Sequence, residues 1–304
     1  MTLREKLAAG QFVVCGEMGP PKSADGNVLR RKVEYFKGVV DAVNITDNQT
    51  ATVRLSSIAA AKILIEEGLE PIMQMTCRDR NRIGIQSDLL GAAALGIQNV
   101  LCLTGDHQKF GDQPEARGVF DLDSVQLVAT VDLMNKGQLL SGQSLKVPPH
   151  FLIGAAANPF AEPFEMRLIR LYKKVQAGAH FIQTQPVFNL ELFSRWMAEA
   201  VKMGLHEKTA ILAGVMPISS VKSLEYMKTS VPGVKIDESY IERMAAAADP
   251  KLEGLAIAVE IAKELKGIAG IRGVHIMPSG WESITPTLVA EAGLRLSSNF
   301  DALE

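Results

Sequence analysis

The chain has 304 residues, of which 47% are hydrophobic and 22% charged, and its formal net charge is -2. That length supports one large core or two modest ones, and the near-neutral balance excludes the strongly basic surface that nucleic acid or an anionic membrane attracts. Cys15, Cys77 and Cys102 are too few and too scattered for a disulfide framework, and the five histidines lack metal-ligand spacing, so no metal site is expected.

The opening "MTLREKLAAG" sets Leu3 and Leu7 at helical spacing among charges and reads as a short amphipathic helix. It has no signal-peptide apolar core, and no apolar run is long enough to span a bilayer, so a cytoplasmic location is expected. The first strand is expected at "FVVCGEM" (12–18), where "VVCGEMGPP" ends an apolar run on the single carboxylate of Glu17, just before a Gly and paired Pro. "VVDAVNIT" (39–46) reads as the second strand. "ATVRLSSIAAAKILIEEGLEP" then reads as a helix stopped by Gly68 and Pro71. "PIMQMTC" (71–77) and "NVLCLTG" (99–105) follow as strands three and four.

A long connection, 106–150, contains "GQLLSGQS" (137–144), which imitates a phosphate-binding loop but has Gln143 in place of the lysine, so it is set aside. "FLIGAAA" (151–157) is the fifth strand. In "MRLIRLYKKVQAG" the spacing predicts a helix burying Leu168, Leu171, Tyr172 and Val175, closed by Gly178. "FIQTQPV" (181–187) and "AILAGVMP" (210–217) are strands six and seven. The connection 218–272 has room for two or more helices, and "GVHIMPSG" (273–280) is strand eight. No GxGxxG follows any strand. Eight strands alternating with helices therefore predict an α/β fold, a (β/α)8 TIM barrel, as one domain over residues 1–304.

In such a barrel the active site lies at the C-terminal ends of the strands. Those ends carry Glu17, "NITDNQ" (44–49), "QMTCRDR" (74–80), "LTGDH" (103–107), "AAANPF" (155–160), "QTQPVF" (183–188), "GVMPIS" (214–219) and "IMPSGWES" (276–283). Singly, Glu17 could be a solvated strand-end acid, Asp106 a turn cap and Gln185 a buried amide satisfied by backbone. Gathered on one face, they point to a site for a flat, polar, hydrogen-bonding ligand, with Gly105 permitting close backbone approach.

The ordered set "GEMGPPKS", "NITDNQ", "MTCRDRN", "CLTGD", "AGAHFIQTQPVF" and "AGVMPIS" resembles the methylenetetrahydrofolate reductase family from about residue 10 to about 295. The resemblance implies a barrel holding a flavin with folate stacked on it, and reduction of 5,10-methylenetetrahydrofolate to 5-methyltetrahydrofolate. By the same resemblance Glu17 is the general acid, protonating N10 as the ring opens to an N5 iminium. A carboxyl on an apolar strand end suits proton donation near neutral pH.

Asp106 matches the family acid near pterin and flavin, and it would favour the cationic iminium. Gln185 matches the glutamine that pairs with the pterin edge. Thr46, Gln74, Thr104, Gly105, Asp106, Asp123, Ala157, Asn158 and Lys174 take cofactor positions. The family often has His at Gln74, Arg at Thr104, and Tyr and His near Asn158 and Glu162. Arg167 and Arg170 stand where an acid and an amide are expected near the diphosphate. FAD is therefore expected, with FMN as the alternative.

Val221, in "PISSVKSLEY" (217–226), takes the position of an aromatic residue that helps a nicotinamide cofactor stack. This predicts electron delivery by a separate redox partner protein; the alternative is that NADH or NADPH still serves. An oligomer is expected, without nucleic-acid or membrane partners and without a C-terminal regulatory extension. The competing functional readings are a non-redox pterin-binding barrel, such as a pterin-dependent methyltransferase, and a flavin-carrying subunit of a redox complex.

Overall fold

The computed structural model describes residues 1–231 and 233–295; Pro232 and the end of the 1–304 span, 296–304, lie outside the described residues. Among the described residues, eight parallel strands close into a barrel in sequence order: β1 (Val13–Met18), β2 (Ala42–Ile45), β3 (Pro71–Thr76), β4 (Asn99–Leu103), β5 (Leu152–Ala157), β6 (Phe181–Pro186), β7 (Ala210–Val215) and β8 (Ile271–Ile276). Each lies within one of the eight expected strand segments or, for β8, overlaps it. Around them lie α1 (Leu3–Ala8), α2 (Asn27–Lys32), α3 (Ser57–Glu66), α4 (Arg82–Ala94), α5 (Ser124–Asn135), α6 (Phe164–Gln176), α7 (Leu190–Lys202), α8 (Leu205–Lys208), α9 (Val221–Ser230), α10 (Glu238–Ala246), α11 (Pro250–Gly267) and α12 (Thr285–Glu291). The connection 218–272 thus holds three helices. The discarded 137–144 segment turns back on itself through an antiparallel Gln138–Ser144 bridge.

Alternate strand residues face inward, so the sequence period of two sets what fills the barrel. Its lower interior is apolar: Val13, Cys15, Ala42, Ile72, Leu101, Leu152, Phe181 and Leu212 form one buried cluster with Leu3 of α1. Phe181 needs the missing side chain of Gly154, its register partner on β5, where a Cβ would lie 2.2 Å from the ring. The helix α1 closes this end. Its Leu3 N–H donates to Glu70, and its Lys6 pairs with Asp41, which also pairs with Arg295. Burial works against a charge on Asp41, yet Arg295, Lys6 and the Val14 N–H together hold its carboxyl below the usual range.

A second, larger cluster fills the space between strands and helices. Here α6 departs from the expected face: Leu168, Leu171 and Val175 are buried, but Tyr172 is 45% exposed. The helix turns Lys174 inward instead, where its amine donates to the Ala156 carbonyl at 2.5 Å. Burial, reinforced by Arg170, pushes that amine down to about 8. All three cysteines are free and buried. Burial pushes up every thiol, Cys77 to about 12 and the other two further. No helix among the described residues is long and apolar enough to cross a membrane, and no cluster of His, Cys, Asp and Glu among them could hold a metal.

Candidate active site

Two residues along the strands from the apolar plug, the inward positions change character. Glu17 follows Cys15 on β1, Asn44 follows Ala42 on β2, Gln74 follows Ile72 on β3 and Gln183 follows Phe181 on β6. His275 on β8 is in register with both Cys15 of β1 and Gly214 of β7. Asn44, Gln74, Gln183 and His275 are each at most 7% exposed. Buried polar atoms without hydrogen-bond partners among the described residues gather here: Asn44 Oδ1, Thr46 Oγ1, both amide atoms of Gln183, and His275 Nε2. Such atoms are rare in finished cores and common where a ligand or water completes the site.

Glu17 sits among them with its side chain 13% exposed. Gln74 Nε2 donates to Glu17 Oε2 at 3.4 Å. His275 Nε2 lies 3.4 Å from the same oxygen, within ion-pair distance but off the angle of a formed hydrogen bond. Glu17 Oε1 accepts no hydrogen bond among the described residues and is not sealed from solvent.

Above this ring lie the loops that form the mouth, and buried arginines stitch them together. Arg78, 2% exposed, donates to the Asn48 carbonyl after β2 and the Asp106 carbonyl after β4, each at 3.2 Å. Arg80 grips the fully buried Asp47 with two nitrogens, at 2.7 and 3.2 Å, and Asp88 with Nε at 2.8 Å. Asp47 also accepts from the Thr76 backbone and hydroxyl, both at 2.9 Å. Burial disfavours the Arg80 charge, but Asp47 and Asp88 together outweigh it and the guanidinium pKa rises. The motifs "NITDNQ" and "CRDRN" are therefore two halves of one scaffold.

The cofactor and substrate positions expected from sequence divide into two groups. Gln185 is exposed on an otherwise buried strand, and Asp106, in the turn after β4, is exposed as well. Gly105 has φ +92°, and a Cβ there would come 3.0 Å from Arg78 Cβ and 3.1 Å from Thr76 Cβ, so the turn lies tight on the end of β3. Thr46 follows β2 directly, Ala157 is the last residue of β5, and Gln74 lies two residues before the end of β3.

The second group has structural partners. Thr104 Oγ1 accepts from the Ser124 N–H, and Asp123 caps α5 by accepting from Val125 and Gln126, both at 2.9 Å. The remaining oxygen of Asp123 lies 3.9 Å from Arg170. Asn158 Oδ1 is taken up by the Phe160 N–H. Lys174 reaches the carbonyl of Ala156 beside them. Val221 opens α9 and packs, half-buried, on the core. Sequence reasoning missed Asn44, Gln183 and His275; their period-two alternation with the plug residues was the available signal.

The family model for methylenetetrahydrofolate reductase matches residues 2–293. "Methylenetetrahydrofolate reductase (NADH) 1" of Arabidopsis thaliana is 27% identical over 293 residues, 88% of this chain and 46% of that protein. The 5,10-methylenetetrahydrofolate reductase of Pectobacterium carotovorum subsp. carotovorum is 24% identical over 307 residues, 96% of this chain and 95% of that protein. The chain thus spans about half the length of the plant relative and nearly all of the bacterial one. Among solved structures, an uncharacterized protein from Clostridium thermocellum that binds two copies of 5-methyl-5,6,7,8-tetrahydrofolic acid superposes with a TM-score of 0.65. At 14% identity, over 95% of this chain and 97% of that one, it shares the fold. With a family match over nearly its whole length and a closed barrel whose strand ends carry the family's motifs, the chain belongs to the methylenetetrahydrofolate reductase family.

Proposed function

We propose that this chain reduces 5,10-methylenetetrahydrofolate to 5-methyltetrahydrofolate. The observation that carries the reading is Glu17, a carboxyl with one oxygen held and the other free, at the barrel end where Gln185 and Asp106 are exposed. Gln185 would pair with the alternating donors and acceptors of the pterin edge. Glu17 would give its proton from Oε1 to N10 of the folate as the C–N bond breaks, and Asp106 would favour the cationic iminium left at N5.

The residues present suit a flavin. Thr46 Oγ1 is buried with no partner, and the Gly105 turn allows flat approach, as a ring system needs. Thr46, Gln74, Gly105 and Ala157 would hold the ring, and Asn158, Asp123 and Lys174 the rest of the cofactor. When bound and reduced, the flavin would supply the hydride. FAD is our reading, with FMN the alternative. A cytoplasmic enzyme and an oligomer belong to the same reading.

Val221 at the start of α9 offers no flat surface to a nicotinamide, which supports a separate redox protein as the electron donor. Flavin bleaching at catalytic rates by NADH or NADPH alone would defeat that part.

The decisive experiment is anaerobic. The purified chain, loaded with flavin and chemically reduced, should be reoxidised by 5,10-methylenetetrahydrofolate. Glu17→Gln should keep the flavin and lose about 100- to 10,000-fold in that rate. A chain that binds neither FAD nor FMN, or a Glu17→Gln protein reoxidised as fast as wild type, would refute the reading.

A further inference from the structure

His275 plays no part in the family resemblance as read from sequence, yet its side chain is 5% exposed and Nε2 has no hydrogen-bond partner other than the near contact to Glu17. It stands on the inner face of β8, flanked in register by Cys15 and Gly214. Gly214 offers no side chain to pair with it, and none could be added there, because a Cβ would lie 2.7 Å from the carbonyl oxygens of Thr184 and Gln185. Among the described residues the imidazole's one ion-pair contact is to Glu17 Oε2, at 3.4 Å, the oxygen that Gln74 also approaches at 3.4 Å.

We propose that His275 is a positioning residue for Glu17: with the Gln74 amide it engages Oε2 from within the barrel, so that Oε1 is the oxygen that carries the proton toward the mouth. This rests on the reading of Glu17 as proton donor. With Nε2 protonated, two N–H groups brought to bear on one carboxylate oxygen would fix the rotation of the carboxyl plane. They also determine which oxygen keeps the proton, since an oxygen facing two donors is better left as an acceptor. Both contacts are long for a neutral acid and can shorten as negative charge develops on proton loss. The proton leaves Oε1 and arrives on N10 with the electron pair of the breaking C–N bond. The charge left on Glu17 then meets two groups already within 3.4 Å, which need only close up on it.

The test compares His275→Leu, His275→Gln and Glu17→Gln, alone and combined, as full-length flavin-loaded protein. His275→Leu should slow reoxidation of the reduced flavin by methylenetetrahydrofolate about 10- to 100-fold, the range expected of a misplaced catalytic group. Its affinity for 5-methyltetrahydrofolate, measured by calorimetry, should stay at the wild-type value. His275→Gln, whose amide nitrogen can stand near the place of Nε2, should recover most of the rate. In the Glu17→Gln background His275→Leu should cost nothing further, because there is no proton left to position. If His275→Leu fails to give a cooperative melt, His275→Asn, polar but too short to reach Oε2, replaces it with the same expected loss. A wild-type rate in the Leu or Asn variant, or an equal loss in the Glu17→Gln background, overturns the role of His275 alone. Absence of folate-dependent reoxidation in the wild-type protein overturns the functional reading itself, and with it this inference.

Discussion

Below Glu17 the barrel interior holds Val13, Cys15, Ala42, Ile72, Leu101, Leu152, Phe181 and Leu212; level with it the inward positions carry Asn44, Gln74, Gln183 and His275. On β2, β3 and β6 the two layers are one inward step apart, with His275 added from β8, and both are shielded from water. The lower one is packed, with Phe181 lying over Gly154. The upper one leaves amide and imidazole atoms without partners. Each such atom costs folding about 1–3 kcal/mol relative to a satisfied one. A layer that bears this cost beside a packed one is serving something other than stability, so the same strands separate the two tasks by height.

The largest effect should come from breaking the lower layer. Phe181→Ala should remove about 3–5 kcal/mol of unfolding free energy, read from urea denaturation, because the ring fills space that Gly154 cannot. A loss below about 1 kcal/mol would mean that the plug is loosely packed and the contrast between layers false.

The next effect concerns Lys174, on the outer wall beside the mouth. Burial lowers its amine from 10.5 to about 8. Below about pH 8 it is protonated in both folded and unfolded chains, and folding bears the full cost of a buried charge. Between 8 and 10.5 only the unfolded chain keeps the proton, so this contribution to stability rises with pH. The total is about 3 kcal/mol. Comparing denaturation midpoints of wild type and Lys174→Met across that window isolates it. Equal slopes in the two proteins would contradict the buried amine.

Gln185→Ala should weaken folate by about 1–3 kcal/mol, seen by flavin spectral titration, and leave the unfolding midpoint alone because the side chain is exposed. Smallest of all, Gln183→Leu should change stability by no more than about 1 kcal/mol, and in the favourable direction, since neither amide atom has a hydrogen bond to lose. A destabilisation as large as that of Phe181→Ala would erase the distinction between the layers.

The strands were legible in the sequence because apolar runs punctuated by Gly, Pro and Asn encode both their length and their ends. Glu17 stood out as a charge where an apolar run stops. What the sequence hid were pairings between distant positions. Nothing in "NITD" or "CRDR" announces that Asp47 and Arg80, 33 positions apart, share two hydrogen bonds. The spacing of the histidines says nothing of His275's contact with Glu17, at the other end of the chain. On α6, counting apolar residues favoured Tyr172 over Lys174 for the buried face. Such counting cannot see that an amine with an alkyl stem buries well when a carbonyl such as that of Ala156 waits for it.

Cys15 lies inside the plug, and Cys77 and Cys102 lie between the sheet and its helices. Fully covered and held in the protonated form, these thiols cannot attack a disulfide reagent until the strands separate. The rate at which a chromogenic disulfide is consumed by the native protein is then a clock for opening of the barrel. It runs on three internal probes that need no engineering, and it can report how far a bound ligand at the mouth slows the breathing of the whole fold.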